Sequence, residues 1–295
     1  MTTHDEPTSP ITRGADIFYE DHGVAIFTYS WVPERPRGVV QIAHGIGEHV
    51  GRYEHFALAL AEAGYAVYAD DHRGHGETGR EMHRGDLTQL GKLGPGGLRA
   101  AENAIINFTE LIHSKHPGLR ITYFGHSWGS LMGQRLLNRG TALFDAVILS
   151  GSAYRTPKHM ESGDLNRDFA HLGETGFEWL SRDHSVADAF ANDELCFDAD
   201  ILKLFGLADA LRLFGTPGKH VPNVPMLLMS GTDDPLSRAD SVERLAAAYR
   251  NRGVTDVTLT LYPGGRHEML NELNRADVEH DVISWLDTHT HSAER

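Results

Sequence analysis

Short apolar runs at 38–43, 65–69, 121–124, 146–149, 224–229 and 257–261, each followed by glycine, serine or another polar residue, most constrain what this chain can fold into. Mostly apolar runs of this length suit buried strands. Between them the apolar residues change to helical spacing. Phe56, Leu58, Leu60 and Ala61 precede Gly64, a stretch at 97–115 ends before Pro117, and Leu131, Met132, Leu136 and Leu137 follow the third run. Further helices are expected at 240–250 and 275–288. Strands alternating with helices require right-handed crossovers, so the fold class expected is α/β, with a mostly parallel sheet covered on both faces. Two strands within 17–31, separated by the turn Asp21-His22-Gly23, would form an antiparallel edge. Residues 1–15 read as a flexible tail, and 70–79, polar and glycine-rich, as a loop. The rhythm breaks at 152–221, where only short amphipathic pieces occur, such as 177–180 and 201–205. This predicts a core in two parts, 16–151 and 222–295, carrying a helical insertion at 152–221.

The balance of 27 basic and 41 acidic residues, a formal charge of −14, argues against nucleic-acid partners and against docking on anionic membranes. Cys196 is the single cysteine, which excludes an internal disulfide and suits a reducing compartment. With no apolar stretch resembling a signal peptide in 1–13 and no run of membrane-spanning length, a cytoplasmic location is expected.

The most informative local feature is Gly125-His126-Ser127-Trp128-Gly129, between the 121–124 run and the helical pattern that follows. A bare G-x-S-x-G arises by chance in about one chain in ten of this length. The preceding strand and following helix raise it above chance, because that turn lifts a serine hydroxyl to a helix N-terminus. A serine hydroxyl is a weak nucleophile at neutral pH and needs a base, which in turn needs an orienting carboxylate. Such groups gather beyond the carboxyl ends of strands. Gly231-Thr232-Asp233-Asp234-Pro235 and Pro263-Gly264-Gly265-Arg266-His267 follow the last two runs, and the order Ser, Asp, His is the one expected here. Spacing alone does not choose between Asp233 and Asp234. An oxyanion would need two N–H donors. Trp128, next to the serine, and Ile46, in the turn His44-Gly45-Ile46-Gly47, are the candidates.

The stretch His44-Gly45-Ile46-Gly47-Glu48-His49-Val50-Gly51-Arg52-Tyr53 resembles the HGxGEHxxRY signature of the monoacylglycerol lipase and lysophospholipase-like α/β-hydrolases. Asp71-His72-Arg73-Gly74-His75-Gly76 resembles that family's next loop. Residues 177–183 and 266–272 look like its bacterial lysophospholipase-like branch. The resemblance spans nearly the whole chain. It implies the α/β-hydrolase fold and a cofactor-free serine esterase with Ser127 as nucleophile, Asp234 rather than Asp233 as triad acid, His267 as base, and Ile46 and Trp128 as oxyanion donors. It also implies that 152–221 is a cap over an acyl pocket, with Trp179, Leu180 and Phe205 as substrate-binding candidates. The expected partner is a small acyl ester or lipid, with at most transient membrane-surface contact through the cap. The family usually has Met where this chain has Trp128 and Gly where it has Ser130. Only the N–H of residue 128 is needed for the chemistry, but an indole there can narrow an acyl pocket. The same triad could serve acyl transfer or amide cleavage, and a non-catalytic binding protein is the reading from another class. His72, His75, Asp70 and Asp71 match no strong zinc spacing, so no metal is expected. Cys196 reads as a small buried filler.

Overall fold

The computed structural model describes residues 10–140 and 142–289. Every apolar run becomes a strand. In chain order the elements are β1 (Ile11–Tyr19), β2 (Ala25–Pro33), β3 (Gly38–Ala43), α1 (Glu54–Glu62), β4 (Tyr65–Asp70), α2 (Gly76–Met82), α3 (Gly97–Lys115), β5 (Ile121–His126), α4 (Trp128–Leu137), β6 (Ala146–Ser150), α5 (His184–Asn192), α6 (Ile201–Arg212), β7 (Met226–Gly231), α7 (Ser241–Asn251), β8 (Val257–Tyr262) and α8 (Arg275–His289). They build one eight-stranded sheet in the order β1-β2-β4-β3-β5-β6-β7-β8. The pairings β1–β2 and β2–β4 are antiparallel and the rest parallel. Strands β3 to β7 are buried along their whole length, as helices on both faces require. Apolar residues of α3, α4 and α7 pack one face, and those of α1 and α8 pack the other.

Several expectations are corrected. Residues 11–15, given to the tail, pair with β2 in the register Ile11↔Pro33 to Ala15↔Tyr29. Their sequence hid this because an edge strand exposed on both faces is held by ladder hydrogen bonds more than by burial. The rest of the expected tail, 1–9, lies outside the described residues. The loop at 70–79 turns into α2 at Gly76, because the Asp71 carboxylate accepts the Glu77 N–H (2.8 Å) at the helix start. Residues 177–180 form a turn rather than a helical piece. Between β6 and β7 the described chain contains a 3-10 turn at 170–172, α5 and α6, which is broken at Gly206, and an isolated bridge, Met160↔Ser237, ties this stretch to the loop after β7. No described helix is long and apolar enough to cross a membrane.

Parallel strands leave their carboxyl ends on one edge. The loops after β3, β5, β7 and β8 therefore meet there, although 43 and 267 are far apart in sequence.

Candidate active site

Ser127 sits between β5 and α4 with φ 49° and ψ −118°, a left-handed conformation costly for a side-chain-bearing residue. The turn is held from both directions. Ser127 N–H donates to Ser150 O (2.9 Å), and Ser127 O accepts from Leu131 N–H (3.0 Å) and Ser130 Oγ–H (2.6 Å). Gly129 is required by close approach, since a Cβ there would lie 2.2 Å from Ala43 O. This contact presses the end of β3 against the start of α4. The turn after β3 accordingly touches the serine, and a Cβ at Gly45 would lie 3.2 Å from Ser127 Cβ.

His267 Nδ1 lies 2.9 Å from Asp234 Oδ1. A carboxylate only accepts, so Nδ1 carries the proton and the neutral ring keeps its lone pair on Nε2. Nε2 is buried and has no hydrogen-bond partner among the described residues. Asp234 is itself oriented, Oδ1 accepting Leu236 N–H (2.9 Å) and Oδ2 accepting Ser230 Oγ–H (3.3 Å). Asp233 is exposed and reaches this region only through its N–H, donated to Gly265 O. The geometry thus pairs His267 with Asp234. His267 lies beside the serine turn: its ring is 4.8 Å from that of His126, and a Cβ at Gly151 would lie 3.1 Å from its Cε1. Burial alone would lower the His267 pKa. The Asp234 charge and hydrogen bond, joined by Glu268 and Glu48, outweigh it and raise the pKa above the usual histidine value. His126 goes the other way, down to about 3, through burial and the neighbouring His267.

The turn after β3 is set by a second histidine. His44 Nε2 accepts His72 N–H (3.0 Å), so Nδ1 bears the proton and donates to Gly45 O (2.7 Å). Burial, followed by the neighbouring His72 and His75, keeps His44 far below its usual pKa and therefore neutral. The Gly45–Ile46 peptide is trans, so holding its C=O aims the Ile46 N–H to the opposite side. Glu48 Oε1 accepts Gly45 N–H at 2.5 Å. No described group accepts a hydrogen bond from Ile46 N–H or Trp128 N–H.

The three insertion residues expected to bind substrate all border this machinery. Trp179 packs over the His267 ring at 4.8 Å, and Phe205 meets the Trp128 indole at 5.3 Å. Leu180 is buried, and its carbonyl accepts Glu268 N–H (2.8 Å). Trp128 is 1% exposed, stacked on His75 (5.0 Å, 29°) and edge-on to His72 (5.6 Å). Cys196 is half-buried rather than fully buried. His49, Asp193 and Cys196 offer ligand atoms within 4.8 Å of one another. However, His49 Nδ1 accepts Gly51 N–H (3.2 Å), which puts its proton on Nε2, where it is donated to Asp193 (2.9 Å). That set is a hydrogen-bonded contact and would have to give up a proton to hold a metal.

The family model described as serine aminopeptidase, S33 (Hydrolase_4) matches residues 34–274. The chain belongs to this family of α/β-hydrolases. A monoacylglycerol lipase of Mycolicibacterium smegmatis is 31% identical over 94% of this chain and 98% of its own length. The human monoglyceride lipase is 26% identical over 98% and 97%. Among solved structures, a thermostable carboxyl esterase from Bacillus coagulans in complex with glycerol superposes with a TM-score of 0.84, at 26% identity, covering 95% of this chain and all of that one.

A set of buried charges beside the site had no role in the sequence reading. Glu48, Arg52 and Glu268 are joined by charge-assisted hydrogen bonds at 2.5–2.7 Å. Glu48 and Arg52 stand in the ten-residue motif after β3 and Glu268 directly follows His267. Charged residues at such positions, close to apolar strand ends, were the available signal.

Proposed function

We propose that this chain is a serine esterase acting on monoacyl esters of the monoacylglycerol or lysophospholipid kind, with Ser127, His267 and Asp234 as its triad. The observation that carries the reading is Ser127 on a left-handed strand-to-helix turn, beside a buried His267 whose Nδ1–H is bound by Asp234. Its relatives along the full length are ester hydrolases, although the family description names a peptidase. In this mechanism His267 Nε2 takes the Ser127 proton as Oγ attacks the ester carbonyl. Ile46 and Trp128 N–H hold the oxyanion. The alcohol leaves with the proton from His267, and water then cleaves the acyl-enzyme by the same route. The fixed Gly45–Ile46 peptide supports the donor role of Ile46.

Residues 152–221 are read as the cap, with Trp179, Leu180 and Phe205 lining the acyl side. Exposed Leu202, Leu207 and Leu211 on α6 support transient contact with a lipid surface. Trp128, buried between His75 and Phe205, supports a shortened acyl pocket. A cytoplasmic location is supported by the single, unpaired Cys196.

The test is hydrolysis of p-nitrophenyl esters from about C2 to C16, a series in which each added CH₂ that the pocket buries contributes ~0.8 kcal/mol. Matched monoacylglycerols are run alongside, with wild type beside Ser127→Ala and a fluorophosphonate label on the serine. Ser127-dependent turnover of esters and monoacylglycerols is expected. Full activity of Ser127→Ala would refute the mechanism, and activity on amides alone would refute the substrate class.

A further inference from the structure

We propose that Glu48, Arg52 and Glu268 act as one positioning cluster: Glu48 holds the Gly45–Ile46 turn for the oxyanion, and the cluster's surplus negative charge supports protonated His267. This rests on the triad and oxyanion roles given above.

The geometry joins two loops that meet only in the folded chain. Arg52 Nη1 donates to Glu48 Oε2 (2.7 Å) and to Glu268 Oε1 (2.5 Å), and Nη2 donates to Glu268 Oε2 (2.7 Å). Glu48 Oε1 accepts from Gly45 N–H (2.5 Å) and from the Tyr53 hydroxyl (2.6 Å). Glu268 Oε2 also accepts from Asn271 Nδ2 (2.8 Å). One guanidinium therefore fastens the turn carrying Ile46 to the residue after His267. The Arg52 guanidinium lies 4.8 Å over the Phe190 ring of α5, which covers the cluster and leaves the Arg52 side chain 11% exposed.

Both carboxylates are ionised. Burial works against the Glu268 charge, but the two-pronged Arg52 holds its pKa down at about 2. Burial pushes Glu48 upward. Against this, the permanently charged Arg52 donates to Oε2, and Gly45 N–H and the Tyr53 hydroxyl donate to Oε1, so the bonds at both oxygens favour the ionised form. Two carboxylates and one guanidinium leave a net charge of −1. A buried triad of this kind costs several kcal/mol of desolvation per ion, and an apolar replacement is often as stable. Stability therefore does not explain it, whereas catalysis offers a return. An imidazolium forms on His267 when the serine proton moves, and a fixed negative charge in a dry site lowers its energy.

The charged and titratable groups around His267 are Asp234 after β7, His126 on β5, Arg266 and Glu268 on its own loop, and Glu48 and Arg52 after β3. His126 is neutral. Arg266 Nη1 turns away to the carbonyls of Glu178 and Ser181 (2.6 and 2.7 Å). Glu268 is thus the removable charge whose loss changes the balance at His267 without touching Asp234.

The experiment measures kcat/KM against pH for wild type, Ser127→Ala, Glu268→Gln, Glu268→Asp and Glu48→Gln, using the p-nitrophenyl ester that wild type cleaves fastest. Removing a negative charge lowers the pKa of His267, so the acidic limb of Glu268→Gln is expected at lower pH than wild type. Glu268→Asp keeps the charge and is expected to keep the limb near wild type. Glu48→Gln is expected to lose about tenfold in kcat with KM little changed, less than the ~10²–10³ of deleting a donor outright. Unfolding in acid would move the limb to higher pH, opposite to the expected shift, so poor folding cannot imitate it. A Glu268→Gln limb lying on the wild-type one would overturn the electrostatic role, and unchanged kcat in Glu48→Gln would overturn the positioning role. Ser127→Ala must be inactive for either conclusion; activity there refutes the mechanism beneath both.

Discussion

Replacing Gly129 by alanine tests whether the serine turn and the oxyanion turn are one mechanical unit. The added Cβ would sit 2.2 Å from Ala43 O, 2.7 Å from Ala43 C and 2.7 Å from His44 O. All three are backbone atoms at the end of β3, so no side chain can swing aside. Relief to an ordinary contact of about 3.4 Å requires a separation of roughly 1 Å between α4 and the strand that carries the His44–Gly47 turn. Overpacking of this kind costs typically 1–3 kcal/mol, and backbone on the opposing side puts this case at about 3. For a chain of this length that corresponds to a drop of about 5 °C in Tm. A displacement near 1 Å between nucleophile and oxyanion donors costs about 100-fold in kcat, with little change in KM. Urea denaturation and p-nitrophenyl ester kinetics on the same preparation read both quantities. A stable variant with wild-type kcat would refute the close approach of β3 to α4 as the source of the site's geometry. A destabilised variant with wild-type kcat would refute the coupling between the two turns.

Asp234→Asn should lower kcat by about 10³–10⁴ at neutral pH, because an amide donor facing Nδ1 forces the proton onto Nε2; a loss under tenfold in the ester assay would remove Asp234 from the triad. Trp128→Met should move the best p-nitrophenyl ester to longer acyl chains, since it frees space between His75 and Phe205; an unchanged chain-length profile would show that the pocket lies elsewhere. Stability should fall as pH drops from about 6.5 toward 5. His75 and His126 are buried with pKa near 3, so the unfolded chain binds their protons first and each contributes a loss on the order of 2 kcal/mol by pH 5. The raised pKa of His267 acts in the opposite sense and offsets part of this. Thermal denaturation at several pH values measures the sum, and a Tm that is flat or rises over that window would contradict the buried neutral histidines.

The sheet was legible because burial on both faces writes itself into sequence. Runs such as 121–124 and 146–149 carry no polar residue able to face solvent, apart from Thr122, and 97–115 matched α3 end to end. The serine, the carboxylate and the histidine were legible for a related reason. Parallel strands must expose their carboxyl ends together, so residues just past 126, 231 and 262 had to converge. Less of β1 and α2 could be read. β1 is held by pairing with β2 at an exposed edge, and α2 takes its first N–H acceptor from Asp71, outside the helix. Neither cause leaves a local periodicity.

Sequence by itself determined the fold class, the strand order along the chain and the candidate nucleophile, since these follow from hydrophobic period and from the turn that glycines allow. The tertiary structure alone decided what depends on contact across long separations. It brought Asp234 to 2.9 Å from His267, a contact that spacing did not give and that only the resemblance had implied, and it aimed Ile46 N–H by binding Gly45 O to a histidine whose own proton is set by His72. It also gathered Glu48, Arg52 and Glu268 into one buried cluster. The physical reason is that hydrogen bonds act over about 3 Å, a distance that sequence separation does not encode.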